Sequence, residues 1–137
     1  MQLNFNNLSS QKYNKYQPIL LKLTKKTFKQ LKISDHYIID LDFVSAKEIT
    51  KINKQYRNIN KETDVLSFAF LELKKGEVKI KSKKPQFLGE IIISTHKIEE
   101  QAKELKHTFT YELAYLYLHG LLHLLGYTPA RHRHHPD

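Results

Sequence analysis

The stretch from Thr108 to Tyr127, TFTYELAYLYLHGLLHLLGY, limits the fold more than any other part of the chain. It is a long apolar run, to be walled in by the rest of the protein, and it carries two histidines, His119 and His123. Their separation by four residues places both imidazoles on one face of a helix, one turn apart. Two neutral imidazoles so arranged can bind one divalent metal ion. The pair can also be a coincidence of sequence. Its neighbours, however, are Leu118, Leu121, Leu122, Leu124 and Leu125. A half-buried imidazole loses hydration and needs a partner, which a metal supplies. Gly120 follows His119, where a helical zinc protease carries the glutamate that acts as general base. A glycine there leaves the ground beside a metal open but provides no base, so peptidase chemistry is disfavoured.

A chain of 137 residues, 40% of them hydrophobic, fits one domain with a real core. It has no cysteine, which excludes disulfides and cysteine-bound zinc; any metal must sit on His, Asp or Glu. No apolar run of membrane-spanning length is free of polar groups, and MQLNFNNLSSQKYNKY has no signal-peptide core, so a cytoplasmic protein is expected. The net charge of +9 suits a polyanionic partner such as nucleic acid, although it also serves solubility alone. Of 23 basic residues only Arg57, Arg131 and Arg133 are arginine. Arg57 is thus a lone guanidinium in a lysine-rich body, and its planar fork matches phosphate in a way lysine cannot copy.

Alternation from Gln2 to Phe5 predicts a short first strand. Apolar residues at Ile19, Leu20, Leu23, Phe28 and Leu31 predict a helix within Gln11 to Leu31, its regular part beginning near Pro18. YIIDLDF, Tyr37 to Phe43, reads as a strand. Ser45 and Glu48 form a capping box for a helix over Ala46 to Tyr56. VLSFAFL, Val65 to Leu71, reads as a strand buried on both faces or nearly so, and FLGEIIIS, Phe87 to Ser94, as another strand. The lysine-rich stretch Glu72 to Pro85 between them reads as an exposed hairpin or loop. Ser94 or Thr95 caps a helix through Leu105, Thr108 or Thr110 opens the histidine helix, and Gly126 ends it. The order predicts an α/β (α+β) domain over residues 1–127, a four-stranded mixed sheet with helices packed on it. Residues 128–137, TPARHRHHPD, break style, with three His, two Arg and no Lys. They read as an appended or shifted tail, or as a His-rich metal-binding tract.

Four separated segments together resemble the YbeY family of metal-dependent endoribonucleases. They are Asn53 to Arg57 with Lys61 to Phe68, Leu88 to Ser94, Gln101-Ala102 with His107, and Glu112 to Leu116 leading into HGLLHLLGY, His119 to Tyr127. The resemblance implies a fold similar to zinc peptidases with a metal beside a sheet edge. It implies a zinc ion held by three histidines in H-G-x-L-H-L-x-G-Y-D-H, of which His119 and His123 are the first two. The third falls on Pro129 and the preceding Asp on Thr128; proline has no side-chain donor. His132, His134 or His135 could complete the set only from a different spacing.

The resemblance further implies single-stranded RNA as substrate, ribosomal RNA precursors and the small ribosomal subunit as partners, and a role in ribosome maturation. In an intact site zinc would supply hydroxide without a carboxylate base. Arg57 is then the residue expected to hold the scissile phosphate and stabilise its transition state, its alternative being an ion pair with Asp64 or Glu62. Asp64 either orients Arg57 or caps its strand. Ser67 lines the cleft or is an ordinary strand residue. His107 is a substrate group or a local hydrogen bonder. Tyr111, Tyr115 and Tyr117 are mostly core, and Lys74, Lys75, Lys79, Lys81, Lys83 and Lys84 form a basic loop that either contacts RNA backbone or is a solvated face. With a third ligand missing, this chain is expected to hold zinc weakly, which makes an RNA- or ribosome-binding protein without catalysis the main rival, ahead of a metalloprotease.

Overall fold

Tyr37–Val44 alternates buried and half-buried residues along its length, and this strand divides the molecule into two faces. The structure, a computed structural model, describes residues 1–74 and 84–127. Most of the lysine-rich loop, with Lys75, Lys79, Lys81 and Lys83, and the whole 128–137 tail lie outside the described residues.

The elements follow as β1 (Gln2–Asn7), α1 (Gln17–Gln30), β2 (Tyr37–Val44), α2 (Ala46–Arg57), β3 (Val65–Ala69), β4 (Gln86–Ser94), α3 (Thr95–Leu105) and α4 (Phe109–Leu124). The predicted first helix is divided. Gln11–Tyr16 forms a 3-10 turn capped by Ser10, and the regular helix starts beside Pro18, whose fixed φ suits a first turn. Hydroxyl caps open the later helices: Ser45 Oγ accepts Glu48 N–H at 3.2 Å, Ser94 Oγ accepts Lys97 N–H at 3.2 Å and Thr108 Oγ1 accepts Tyr111 N–H at 3.1 Å. Each satisfies an amide that has no partner within its helix.

The four strands form one mixed sheet in the order β1-β2-β4-β3. β1, β2 and β4 run parallel, while β3 pairs antiparallel to β4 with Val65 opposite Ile93 and Ser67 opposite Ile91. β3 is therefore an edge strand. It ends at Ala69 rather than Leu71, and it is not buried on both faces: Ser67, Phe68 and Ala69 are half-buried, and Phe70 beyond them is 69% exposed. An edge strand lacks a neighbour to cover its outer side, which an apolar sequence alone cannot reveal.

One sheet face carries Ile39, Leu41, Phe43, Val65, Ile91 and Ile93, and packs with residues of α1, α3 and α4 in the main core. The other carries Val44, Leu66 and Ile92 under Ile49 and Ile52 of α2. At the centre of the main core Tyr117 is fully buried, its hydroxyl 2.6 Å from Thr24 Oγ1. The Thr24 proton goes to the Leu20 carbonyl at 2.6 Å, so the phenol donates to Thr24. Burial pushes the Tyr117 phenol well up from its ordinary value.

Candidate active site

Two glycines set how closely α4 lies on the sheet. Gly120 is buried, and a Cβ there would stand 3.1 Å from Ser67 Oγ, 3.4 Å from Ile91 Cγ2 and 3.5 Å from Val65 Cγ2. On the sheet side, a Cβ at Gly89 would meet the Phe68 carbonyl and lie 2.8 Å from Leu124 Cδ2. The helix rests on the β3–β4 edge through the absence of these two side chains. Gly120 is thus not an open space beside His119, as its place in the sequence suggests. It faces the sheet, and its smallness serves packing. The peptidase reading has no base at that position on either account.

The stripe adjoining this seam carries Glu112, His119 and His123, which the helical repeat brings to one side of α4. Glu112 is fully buried, His119 half-buried and His123 exposed. His123 opens into a cavity of about 490 Å³ shared with Ser67, Phe68, Ala69, Glu72, Leu73 and Gly126. The structure thus brings Ser67 and His123 together, with His119 one turn back and Gly120 against Ser67.

The wall of this cavity is fixed by the end of α4. Tyr127 N–H donates to the Leu122 carbonyl at 2.9 Å and Gly126 N–H to that of His123 at 3.1 Å, a Schellman ending. Gly126 has φ +88°, and a Cβ there would lie 2.7 Å from the Leu73 carbonyl oxygen. Glycine is needed for both conformation and space.

The other expected site residues are distributed differently. Arg57 is exposed at the end of α2, which packs on the opposite sheet face from α4. Asp64 is buried just before β3, where its Oδ1 accepts Val65 N–H at 2.7 Å. The loop between Arg57 and Asp64 is fastened by contacts the sequence did not foretell. Asn53, fully buried, donates from Nδ2 to the Lys61 carbonyl at 3.0 Å. Ser94 donates from Oγ to Glu62 at 2.8 Å and from its amide to the Asp64 carbonyl at 3.0 Å. His96 Nδ1 stands 3.0 Å from the same Glu62 carboxylate. A polar residue at a predicted helix end, Asn53, was the available signal for the first of these; the others depend on long-range register.

His107 makes a local contact, its Nδ1 3.3 Å from Glu112 Oε1. It follows a Schellman ending of α3, where Lys106 takes φ +56° and His107 N–H donates to the Ala102 carbonyl at 2.9 Å. It lines a different cavity from His123.

This arrangement, with a histidine helix seated on an antiparallel edge strand, has counterparts. The family profile described as Endoribonuclease YbeY matches residues 4–135. The chain belongs to the YbeY family. An Endoribonuclease YbeY from Listeria welshimeri is 48% identical over 102 residues, covering 71% of this chain and 63% of the relative. One from Bacillus cereus is 40% identical over 113 residues, covering 82% of this chain and 72% of the relative. The solution structure of a Thermotoga maritima protein superposes with a TM-score of 0.56 at 28% identity, covering 92% of this chain and 73% of that one. The chain thus spans a little under two thirds of the length of its Listeria relative.

The family's metal dependence can be tested against the donors present. A catalytic zinc takes three protein ligands and a water. His119 and His123 offer two, and no group of three or more His, Cys, Asp or Glu side chains suited to a metal occurs among the described residues. Glu72 shares the His123 cavity without making such a group. The described donors do not fit a complete zinc centre. No helix among the described residues is long and apolar enough to cross a membrane.

Proposed function

We propose that this chain engages single-stranded RNA at the His123 cavity and belongs to the endoribonucleolytic processing of ribosomal RNA precursors, in the cytoplasm and at the small ribosomal subunit. The observation that carries this reading is the seating of His119 and His123 beside the β3 edge, with Ser67 and His123 on one cavity, in a YbeY-family chain of net charge +9. His119 and His123 are its metal-ligand pair, for zinc. Arg57, at the end of α2, is its phosphate-holding residue. Residues 1–127 form the functional domain, and 128–137 are an atypical tail.

Because two imidazoles are one ligand short, cutting by this chain depends on a donor beyond the described residues. That gap favours a second reading, in which the chain binds RNA or the ribosome without cleaving. The test uses a labelled single-stranded RNA and its duplex form, with zinc supplied. The chain should bind the single strand and cut it poorly. The double variant Thr128→Asp with Pro129→His should take up zinc and cut. A zinc-loaded double variant that leaves RNA intact would end the endoribonuclease reading, and absence of binding by either protein would end the RNA reading.

A further inference from the structure

His107 points to a second feature at the far end of α4. It lines a cavity of about 480 Å³ enclosed by the 3-10 turn, α3 and the start of α4. Its floor is aromatic: the Tyr13 and Phe109 rings stack at 5.3 Å with 22° between planes, and Tyr16 lies 4.7 Å from Phe109 at 37°. Tyr13 is buried, whereas Tyr16 and Phe109 are half-buried. The rim is cationic. Lys12 Nζ and Lys15 Nζ stand 5.1 and 5.4 Å from the Tyr13 and Tyr16 ring centres, and Lys103 is exposed beside them.

One carboxylate, Glu99, also lines the cavity. It accepts the Tyr13 hydroxyl, and Lys12 Nζ lies 3.2 Å from it. Both contacts hold its carboxyl below the usual carboxylate range. Its charge is thereby answered within the protein, and it fixes Tyr13 and Lys12 in place. Lys15 and Lys103 remain as exposed cations on the rim.

We propose that this cavity is a nucleobase-stacking subsite for single-stranded RNA, with a base lying on the Tyr16–Phe109 surface and the adjoining phosphate met by Lys15 and Lys103. Aromatic floors flanked by cations are suited to single strands, because every base has a π-face and every link a negative charge. The volume is within the range of pockets that enclose small ligands. The subsite is separate from the His123 cavity. Phe109 and His123 stand about 21 Å apart along the helix axis at 1.5 Å per residue, so a strand occupying both would run along α4. The choice of RNA as occupant rests on the function proposed above.

Binding of a short single-stranded RNA to the full chain would be measured by fluorescence anisotropy, with chelator present to prevent cutting. Tyr16→Ala should weaken binding about 5- to 100-fold, while Tyr16→Phe keeps it. Lys15→Gln should lower the slope of log affinity against log salt by about one. Melting curves show whether Tyr16→Ala folds. Independently of any variant, a 4-thiouridine oligonucleotide irradiated on the wild-type chain should crosslink within residues 12–16 or 103–109. Wild-type affinity in folded Tyr16→Ala, with crosslinks confined to residues 67–74 and 119–127, would overturn the subsite and leave the RNA reading standing. No binding by the wild-type chain would overturn both.

Discussion

Replacing Glu90 by Gln should stabilise the fold in a pH-dependent way. Glu90 lies on β4 opposite Asp40, half-buried on the sheet face that α2 only partly covers. A hydrogen bond with Asp42, burial, and the charges of Asp42 and Asp40 raise its pKa from 4.5 to about 7. The two aspartates are themselves held by Asn6 and Asn4 of β1, at 3.2 and 3.0 Å. The unfolded chain releases the Glu90 proton near pH 4.5, while the folded chain keeps it until about pH 7. The native state therefore binds more protons in this window, and stability falls as pH rises through it. Taken whole, that shift corresponds to about 3.4 kcal/mol at 1.36 kcal/mol per unit. Solvent screening of a half-exposed carboxyl reduces the figure to about 1–2 kcal/mol. Gln can still donate to Asp42 but does not titrate. Urea denaturation at pH 4.5, 6, 7 and 8 should give a stability difference between variant and wild type that grows by that amount toward pH 8. Titrating groups other than Asp42 and Asp40, which interact with Glu90, are common to both proteins and cancel. A constant difference across the series would refute the assignment of a shared proton to Glu90 and Asp42.

Three further outcomes are expected. Gly120→Val should cost about 1–3 kcal/mol by overpacking against Ser67 and Ile91, read as a lowered melting temperature; an unchanged melt would mean that α4 is not seated through Gly120. Arg57→Lys, made in the Thr128→Asp, Pro129→His background, should lower RNA cleavage about 100- to 1000-fold at unchanged melting temperature, the loss of a bidentate phosphate contact in the transition state; full turnover would assign Arg57 a structural role. The unaltered chain should lose zinc on dialysis, since fixing a tail histidine as third ligand costs roughly 1–2 kcal/mol of backbone entropy per residue ordered. Stoichiometric zinc by elemental analysis, with His132, His134 or His135 among its ligands, would contradict this.

What the sequence disclosed was whatever is set locally. Thr108 and Gly126 bound the histidine helix because a cap hydroxyl and a positive-φ glycine act within a turn of their own position, and Ser94 likewise opens α3. The division of the first helix at Pro18 was visible for the same reason, although the 3-10 form of the preceding turn was not. The extent of β3 was hidden because an apolar run reads alike at the centre and the edge of a sheet. Register was hidden too, and with it the meeting of Glu90 with Asp42 and of Ser94 with Glu62. Gly120 was visible as the residue beside His119, but its contact with Ser67 depends on how α4 is seated on β3. The contact of His107 with Glu112 joins the loop before α4 to its first turn, whereas its aromatic cavity draws on Tyr13 and Tyr16 from the other end of the chain.

The same distinction separates the proposed ligand pair from the third donor. His119 and His123 are held by one helix, whose seat on the sheet is fixed by Gly120, Gly89 and the buried Leu124. Their backbone positions on adjacent turns are therefore set by the fold of α4 itself. Gly126 then does two things at once. Its positive φ ends the helix in the Schellman form, and its missing side chain admits Leu73 and Lys74, the former part of the cavity wall around His123. The wall and the exit of the chain toward residue 128 are consequently set by one residue that the chain retains. What it lacks is a donor side chain at position 129, where a proline stands. Metal affinity and fold stability are thus carried by different residues, and restoring the first should leave the second nearly unchanged.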